Sequence, residues 1–205
     1  MANITVSLPD GSNISISDGS TIEDVAYEIG EGLGDDCVAG YVDDRLVGSE
    51  YRLEDGKDVR IITKDSDGYL EALRHTTAHV LAQAITRLYD NPKLSIGPPT
   101  DEGFYYDIGN VDLDESDLPE IEDEMKRIIE DDLEVKRKEL ERSEAIDYYE
   151  DNSYKQDIIY TEASNEETLS FYQQGEFMDL CLGGHVSSTG DIKAFELLEI
   201  SAAYW

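Results

Sequence analysis

The periodicity of the apolar residues changes at the polar segment KDSDG of residues 64–68, which separates two parts of the chain. Before it, segments such as residues 3–9 (NITVSLP) alternate apolar and polar side chains, as in strands that bury one face. From Tyr69 to Tyr89 the apolar residues recur every three or four positions, as on one side of a helix. We therefore expect a first domain at residues 1–63, a linker at 64–68 and a second domain at 69–205.

The first domain contains two alternating segments joined by an Asp-Gly turn, then a helix, then three short strand-like segments. Ser20 and Glu23 have the spacing of a capping box and predict the start of the helix, and Gly30 predicts its end. This order of elements predicts a small ubiquitin-like β-grasp domain. A domain of this size has a modest core and typically binds rather than catalyses.

The second domain mixes helices and strands without regular alternation, which predicts an α+β sandwich. The stripe of the first helix that we expect to face the core comprises Leu70, Leu73, Thr77, Leu81, Ala84 and Leu88. Asp117 and Pro119 predict the start of a second helix that extends to about residue 132. Residues 133–140 are either a strand, which we favour, or a continuation of the helix. Further predicted elements are strands at 164–174 and 194–205 and a short helix capped by Ser143.

The chain is strongly acidic, with 48 Asp and Glu against 16 Lys and Arg and a net charge of −32. Acidic residues occur along the whole sequence, which is typical of a surface adapted to very high salt, where charge repulsion is screened over short distances. This charge argues against nucleic acid as a partner, and we expect no DNA partner. No apolar run reaches the length of a membrane span, and two cysteines form no disulfide framework, so we expect a cytoplasmic protein without a membrane partner.

All three histidines of the chain lie in two short segments, RHTTAH at 74–79 and CLGGH at 181–185. His75 and His79 are four residues apart and therefore project from one face of the predicted helix, among small residues that indicate a cleft wall. Cys181 and His185 are also four apart, in a glycine-rich segment. If the two segments meet, they supply the ligand set of a tetrahedral zinc site, or imidazoles that activate water.

Each half of this pattern also has a purely structural interpretation. Histidine pairs with helical spacing are common without any function, and a single cysteine is often a small buried hydrophobe. The confinement of every histidine to these two segments favours a functional site.

The order HxxxH, about a hundred residues, then CxxxH resembles the editing domain shared by threonyl-tRNA synthetases and alanyl-tRNA editing proteins. The segments RHTTAHVLAQAI, IGPPTDEGFYYDI, YTEASNEETLSFYQQGEFMDLCLGGHV and KAFELLEISAAYW are similar to the threonyl family in particular. The LPDG opening resembles the TGS family, and TGS before editing domain is the threonyl order. The resemblance covers essentially the whole chain. It departs at Gly184, where the threonyl family usually has proline.

The resemblance implies hydrolysis of the ester in threonine tRNA mischarged with serine. His75 would position or deprotonate water, and His79 and His185 would complete the pocket. Lys155 would favour the negative charge that develops on the ester. Tyr106 and Asp179 would orient the amino group and the adenosine. Cys181 would lie in the pocket, and a covalent cysteine mechanism is the less favoured route.

The resemblance to the threonyl domain implies that no metal is required, whereas the alanyl relatives bind a metal. Zinc remains open, with His75, His79, Cys181 and His185 as its ligands. The implied partners are the mischarged tRNA and the catalytic, ATP-dependent and anticodon-binding domains of a full-length enzyme, with aminoacylation outside this chain. The basic residues near the motifs that are candidates for phosphate contacts are Arg74, Arg87, Lys93, Lys155 and Lys193.

Two alternatives stay open at the level of sequence. The first is a zinc-dependent, alanyl-type trans-editing hydrolase that acts as a separate protein. The second is a zinc-stabilised module that binds tRNA and catalyses nothing. Metal removal distinguishes the three, because it should leave a threonyl-type editor active, stop the alanyl-type enzyme and unfold the binding module.

Overall fold

The computed structural model describes residues 2–202 and divides into two compact units. The first comprises the chain up to Leu73 together with Leu182–Val186, and the second comprises Arg74–Cys181 and the residues from Ser187 onward. Helices and sheets occur in both, which confirms the predicted α+β class. No helix within residues 2–202 combines the length and the hydropathy that a bilayer crossing requires.

The first unit consists of a hairpin, two short helices and a three-stranded sheet. In chain order its elements are β1 (Asn3–Ser7), β2 (Asn13–Ser17), α1 (Ile22–Ile29), α2 (Glu31–Asp35), β3 (Cys37–Val42), β4 (Arg45–Gly48) and β5 (Val59–Thr63). Strands β1 and β2 pair antiparallel, and β3 is flanked by antiparallel β4 and β5. A parallel bridge between Ser7 and Asp58 connects the hairpin to the residue before β5, giving the strand arrangement expected of a β-grasp domain.

The core of the first unit lies between α1 and these strands. Ile4 and Val6 of β1 point inward by strand alternation, and Ile22 and Val25 of α1 are fully buried against them. The capping box of α1 is formed by Thr21 and Asp24, so the prediction of Ser20 and Glu23 is wrong by one residue. The carbonyl of Ser20 instead accepts the amide of Leu53, which places the cap one position later.

The second unit contains the long helix and the remaining strands. In chain order the elements are α3 (Tyr69–Leu88, which begins in the first unit), β6 (Lys93–Leu94), β7 (Ile108–Gly109), α4 (Leu118–Glu130), β8 (Val135–Glu141), α5 (Arg142–Tyr148), α6 (Ser153–Thr161), β9 (Thr168–Gln174), β10 (Phe177–Leu180) and a 3₁₀ turn (Thr189–Asp191). Strand β9 lies between antiparallel β8 and β10, and β6 pairs with β7. The short β10 ends where CLGGH begins, so the sheet positions this motif.

Helix α3 is confirmed at its predicted position, and Thr77 and Ala84 of the predicted stripe are buried, but the buried residues extend well beyond that stripe. Leu70 of the stripe is 52% exposed, whereas Ala72, Thr76 and Ala82 on the other side are fully buried. Ala82 packs with Leu94 and Phe177, and its small side chain permits their close approach. The middle of the helix is thus enclosed on more than one side, and leucine spacing alone does not identify its buried face.

The other predicted elements had mixed outcomes. The helix that begins after Asp117 and the strand within residues 133–140 are confirmed as α4 and β8. Ser143 is not the cap of α5, because β8 runs directly into the helix and Glu141 forms the capping box with Glu144. No strand occurs in residues 194–202, and the rest of that predicted strand lies outside the described residues.

Candidate functional site

Two histidines in the middle of α3 form the first part of the site. The rings of His75 and His79 meet edge to face, with their centroids 5.3 Å apart. His75 is half-buried, while His79 is 3% exposed and packs against the ring of Phe177. Burial, reinforced by His75, lowers the pKa of His79 to about 3. His79 is therefore a neutral imidazole at physiological pH.

Cys181 lies at the end of β10 and contacts the first histidine. Its Sγ is 3.3 Å from Nε2 of His75. The backbone of Cys181 is fixed to β9, because its amide donates to the Ser170 carbonyl and its own carbonyl accepts the Ser170 hydroxyl at 2.6 Å. The sheet therefore holds the thiol in register with the imidazole of α3.

The ligand atoms of His75, His79, Cys181 and His185 all lie within 4.8 Å of one another. This confirms that the four residues form a group capable of holding a metal ion.

The backbone before His185 is left-handed at two consecutive residues, with φ of 102° at Gly183 and 82° at Gly184. Proline is fixed near −65°, so this conformation explains why glycine stands at position 184.

A buried ion pair forms the second part of the site. The Lys155 ammonium lies 2.7 Å from Oδ1 of Asp179, with the two side chains 2% and 1% exposed. Burial acts to raise the pKa of the Asp179 carboxyl, but the charge of Lys155 and the hydrogen bonds from Lys155 and Tyr106 outweigh it, and the pKa is lowered. Asp179 is therefore an ionised carboxylate despite its burial.

The hydroxyl of Tyr106 donates to Oδ2 of Asp179 and lies 3.4 Å from the Lys155 ammonium. Burial and the neighbouring carboxylate raise the pKa of Tyr106 well above its ordinary value, so it remains a donor. Gly97 packs on the ring, and a Cβ at this position would lie 2.2 Å from the ring carbon Cδ2. The absence of a side chain at Gly97 thus sets the position of Tyr106.

Helix α6 presents Lys155, and sequence analysis did not anticipate this helix. Asn152 caps it by accepting the amide of Lys155, while its own side-chain amide donates to the Leu94 carbonyl at 2.8 Å.

Tyr149 is a further residue of the site that the sequence analysis did not single out. Its hydroxyl contacts Asp179 at 2.8 Å, and no local motif marks it, because the two residues are 30 positions apart.

The structure narrows the set of basic residues proposed for phosphate contacts. Lys155 is buried in the ion pair and does not lie on the surface that backbone phosphates would contact, so its inclusion in that set is wrong. Arg87 pairs with Glu176 and with the buried Glu124. Lys193 is exposed and contacts the Gly190 carbonyl, whereas Lys93 is half-buried and contacts the side chain of Asn91.

Two domain families match the sequence. The TGS domain matches residues 4–63, and the "Threonyl and Alanyl tRNA synthetase second additional domain" matches residues 169–203. The second match includes Asp179, Cys181 and His185, and the first covers the β-grasp part of the fold.

The chain is similar to curated threonine–tRNA ligases of several organisms. The chain is 57% identical over its whole length to that of Haloarcula marismortui and 55% identical to that of Halobacterium salinarum, covering 32% of each relative. The ligase of Rubrobacter xylanophilus is 46% identical over 98% of the chain and 31% of the relative. The first two organisms are halophilic archaea, in agreement with the acidic composition. The chain thus spans about a third of these relatives.

The two family matches cover the β-grasp unit and the segment that contains Cys181 and His185 of the metal-capable group. The chain carries a TGS domain and a threonyl- and alanyl-tRNA synthetase second additional domain, and it corresponds over its whole length to the N-terminal region of threonine–tRNA ligases.

Proposed function

We propose that this chain hydrolyses the ester of threonine tRNA that has been mischarged with serine. The observation that carries the proposal is the contact of His75 with both Cys181 and His79. The charges of the buried Lys155–Asp179 pair act on the pKa of His79, so the pair belongs to the same site. Imidazoles, an ammonium and a fixed carboxylate supply the groups that ester hydrolysis requires. The family matches support a role in editing rather than in aminoacylation itself.

Serine lacks one methyl group of threonine, and a difference of this size supports only about 1–3 kcal/mol of discrimination in one pocket. A synthetic pocket that admits threonine therefore charges serine at some rate. A second pocket that excludes the additional methyl group removes the error. We assign this second pocket to the site between α3 and the end of β10.

His75 positions the attacking water or accepts its proton, because it is half-buried and directed at the end of β10. His79 and His185 complete the pocket, with His79 as a neutral hydrogen-bonding group. Lys155 stabilises the charge that develops on the carbonyl oxygen, and Tyr106 with Asp179 orients the amino group and the adenosine. The proton that leaves the water is delivered to the departing ribose oxygen, so that free serine and intact tRNA are formed.

The contact between Cys181 and His75 also has the geometry of a cysteine nucleophile and its base. In that route the sulfur attacks the ester carbon, the ribose oxygen departs with a proton, and water then hydrolyses the seryl thioester. We favour direct attack by water. Cys181→Ala separates the routes, because water attack survives the loss of the sulfur and the covalent route does not.

The donor set of His75, His79, Cys181 and His185 fits zinc in kind, since imidazole nitrogen and thiolate sulfur are its usual ligands. If zinc is bound, these four residues hold it, and it supplies structural rigidity or Lewis acidity. We propose that hydrolysis does not require it. The role of the ion pair is then to supply from protein groups the charge that stabilises the ester oxygen.

We propose the mischarged tRNA as substrate and the catalytic and anticodon-binding domains of a complete cytoplasmic ligase as partners. Most affinity for tRNA is assigned to those other domains, because a chain of net charge −32 offers few phosphate contacts.

The test is deacylation of seryl-tRNA, made on threonine tRNA, by this chain in high salt. His75→Ala should abolish the hydrolysis, while Leu70→Ala, on the same helix with its side chain 52% exposed, should retain it. Hydrolysis that survives His75→Ala in a folded protein would contradict the proposal.

A further inference from the structure

A phenol hydroxyl outside the proposed set of active groups lies in the centre of the buried network. Tyr149 is 7% exposed, and its hydroxyl donates to Oδ1 of Asp179 at 2.8 Å. The same oxygen of Tyr149 accepts the backbone amide of Leu180 at 2.8 Å. The hydroxyl therefore links the side chain of Asp179 to the backbone of the next residue in β10.

The acceptor positions of Asp179 show what this contact does. Oδ1 receives Tyr149 and Lys155, and Oδ2 receives Tyr106. A carboxylate can accept about four hydrogen bonds, so three are already in use within the protein. Rotation of the carboxylate would break the contacts to Lys155 and Tyr106 together, and Tyr149 is the donor that opposes this rotation.

The ring of Tyr149 is itself held rigidly. It stacks on Phe171, with centroids 5.8 Å apart and an interplanar angle of 17°, and Phe171 is fully buried. Ala145, Ile159 and Leu169 complete this apolar cluster. The hydroxyl thus projects from a packed core at a fixed position, and its raised pKa, caused by burial and by Asp179, keeps it a donor.

We propose that Tyr149 is a positioning residue, which fixes the Asp179 carboxylate and through it the Lys155 ammonium in the geometry that ester hydrolysis needs. The inference rests on the proposed function. Tyr149 does not touch substrate; it acts through Asp179.

The neighbouring residue provides a matched control. Tyr148 is the last residue of α5 and is 48% exposed; its ring packs on both Tyr149 and Phe171, and its hydroxyl donates to the Met178 carbonyl at 3.1 Å. It therefore contacts the same strand without touching Asp179. Replacement of either tyrosine by phenylalanine keeps the ring packing and removes only the hydroxyl.

The experiment compares kcat and KM for seryl-tRNA deacylation in Tyr149→Phe, Tyr148→Phe, Asp179→Asn and the double variant Tyr149→Phe/Asp179→Asn. Tyr149→Phe should lower kcat about tenfold, as expected for a lost hydrogen bond to a charged group, with KM changed less than about twofold. Tyr148→Phe should match the unmodified chain. In the Asp179→Asn background, the second substitution should have no further effect.

A wild-type kcat for Tyr149→Phe, or an equal loss with and without Asp179, would overturn the inference. The carboxyl ¹³C resonance of Asp179 tests it without turnover. The resonance should shift in Tyr149→Phe and not in Tyr148→Phe, and an unshifted resonance in Tyr149→Phe would also overturn it. If the unmodified chain fails to hydrolyse seryl-tRNA, the proposed function fails, and the resonance still decides whether Tyr149 positions Asp179.

Discussion

The ammonium of Lys155 lies 2.7 Å from the carboxylate of Asp179, and both side chains are almost completely excluded from solvent. Forming an ion pair in this environment costs free energy, because both charges lose their hydration. Removing one partner is more destabilising still, because the remaining charge stays buried without a counter-ion. A buried pair of this kind adds little net stability, so we infer that its charges serve the chemistry of the site.

Removal of one partner of this pair should destabilise the protein strongly. Asp179→Asn should lower the free energy of unfolding by about 3–5 kcal/mol, since it leaves the Lys155 ammonium uncompensated. The double variant Lys155→Met/Asp179→Asn should lose less. Urea denaturation in high salt measures both. A loss below about 1 kcal/mol for Asp179→Asn would contradict the buried pairing.

A second ion pair predicts how stability depends on pH. The hydrogen bond from Arg87 outweighs burial and lowers the pKa of Glu176 from 4.5 to about 2. A carboxyl with a depressed pKa stabilises the fold above its unfolded-state pKa, and this stabilisation is lost as pH falls from about 4.5 to about 2. The effect should be modest and salt-sensitive, because the Glu176 side chain is 60% exposed.

Thermal unfolding at pH 5 and pH 3 tests this assignment. Glu176→Gln should be less stable than the unmodified chain at pH 5, and the difference should shrink at pH 3. The comparison between the two proteins cancels the titration of the other carboxyl groups. A difference that is constant across this range would show that Glu176 is not the titrating group.

The left-handed backbone at Gly184 predicts intolerance of proline. Gly184→Pro forces φ from 82° to near −65° and should therefore displace His185. Hydrolysis of seryl-tRNA should fall by about a hundredfold, the effect that misplacing a reacting group by 1 Å can have. Gly103→Ala is the control, because a Cβ at Gly103 meets no atom within 4 Å. Full activity in Gly184→Pro would mean that this conformation is not required.

Metal removal should leave hydrolysis unchanged under the proposed mechanism. The chain is treated with a chelator, its zinc content is measured, and deacylation and the far-UV circular dichroism are compared before and after. Loss of activity with retained structure would favour the alanyl-type zinc hydrolase instead. Loss of structure would favour the zinc-stabilised binding module.

The sequence predicts well the features that depend on local spacing. The histidine pair, helix α3 and the start of α4 follow from residue periods and capping residues alone. The cap of α1 does not, because Ser20 with Glu23 and Thr21 with Asp24 are overlapping candidates of similar quality. A contact with Leu53, far along the chain, distinguishes them.

The site shows the same division between local and long-range information. Clustering of His75 and Cys181 is suggested by their rarity, but the role of Tyr149 depends on α5 and β10 meeting in space. Tyr148 and Tyr149 lie between Asp147 and Glu150, and this local sequence does not indicate that one of them contacts the site. The burial of Lys155 could not be predicted from the sequence either, because α6 has little amphipathic pattern to indicate which of its faces is buried.

The most direct test of the account compares hydrolysis of seryl-tRNA and threonyl-tRNA, both made on threonine tRNA, by the unmodified chain in high salt. The account predicts that kcat/KM is about 10- to 200-fold higher for the seryl ester, because the pocket must exclude one methyl group. Equal hydrolysis of both esters would contradict the claim that this site is an editing pocket selective for serine.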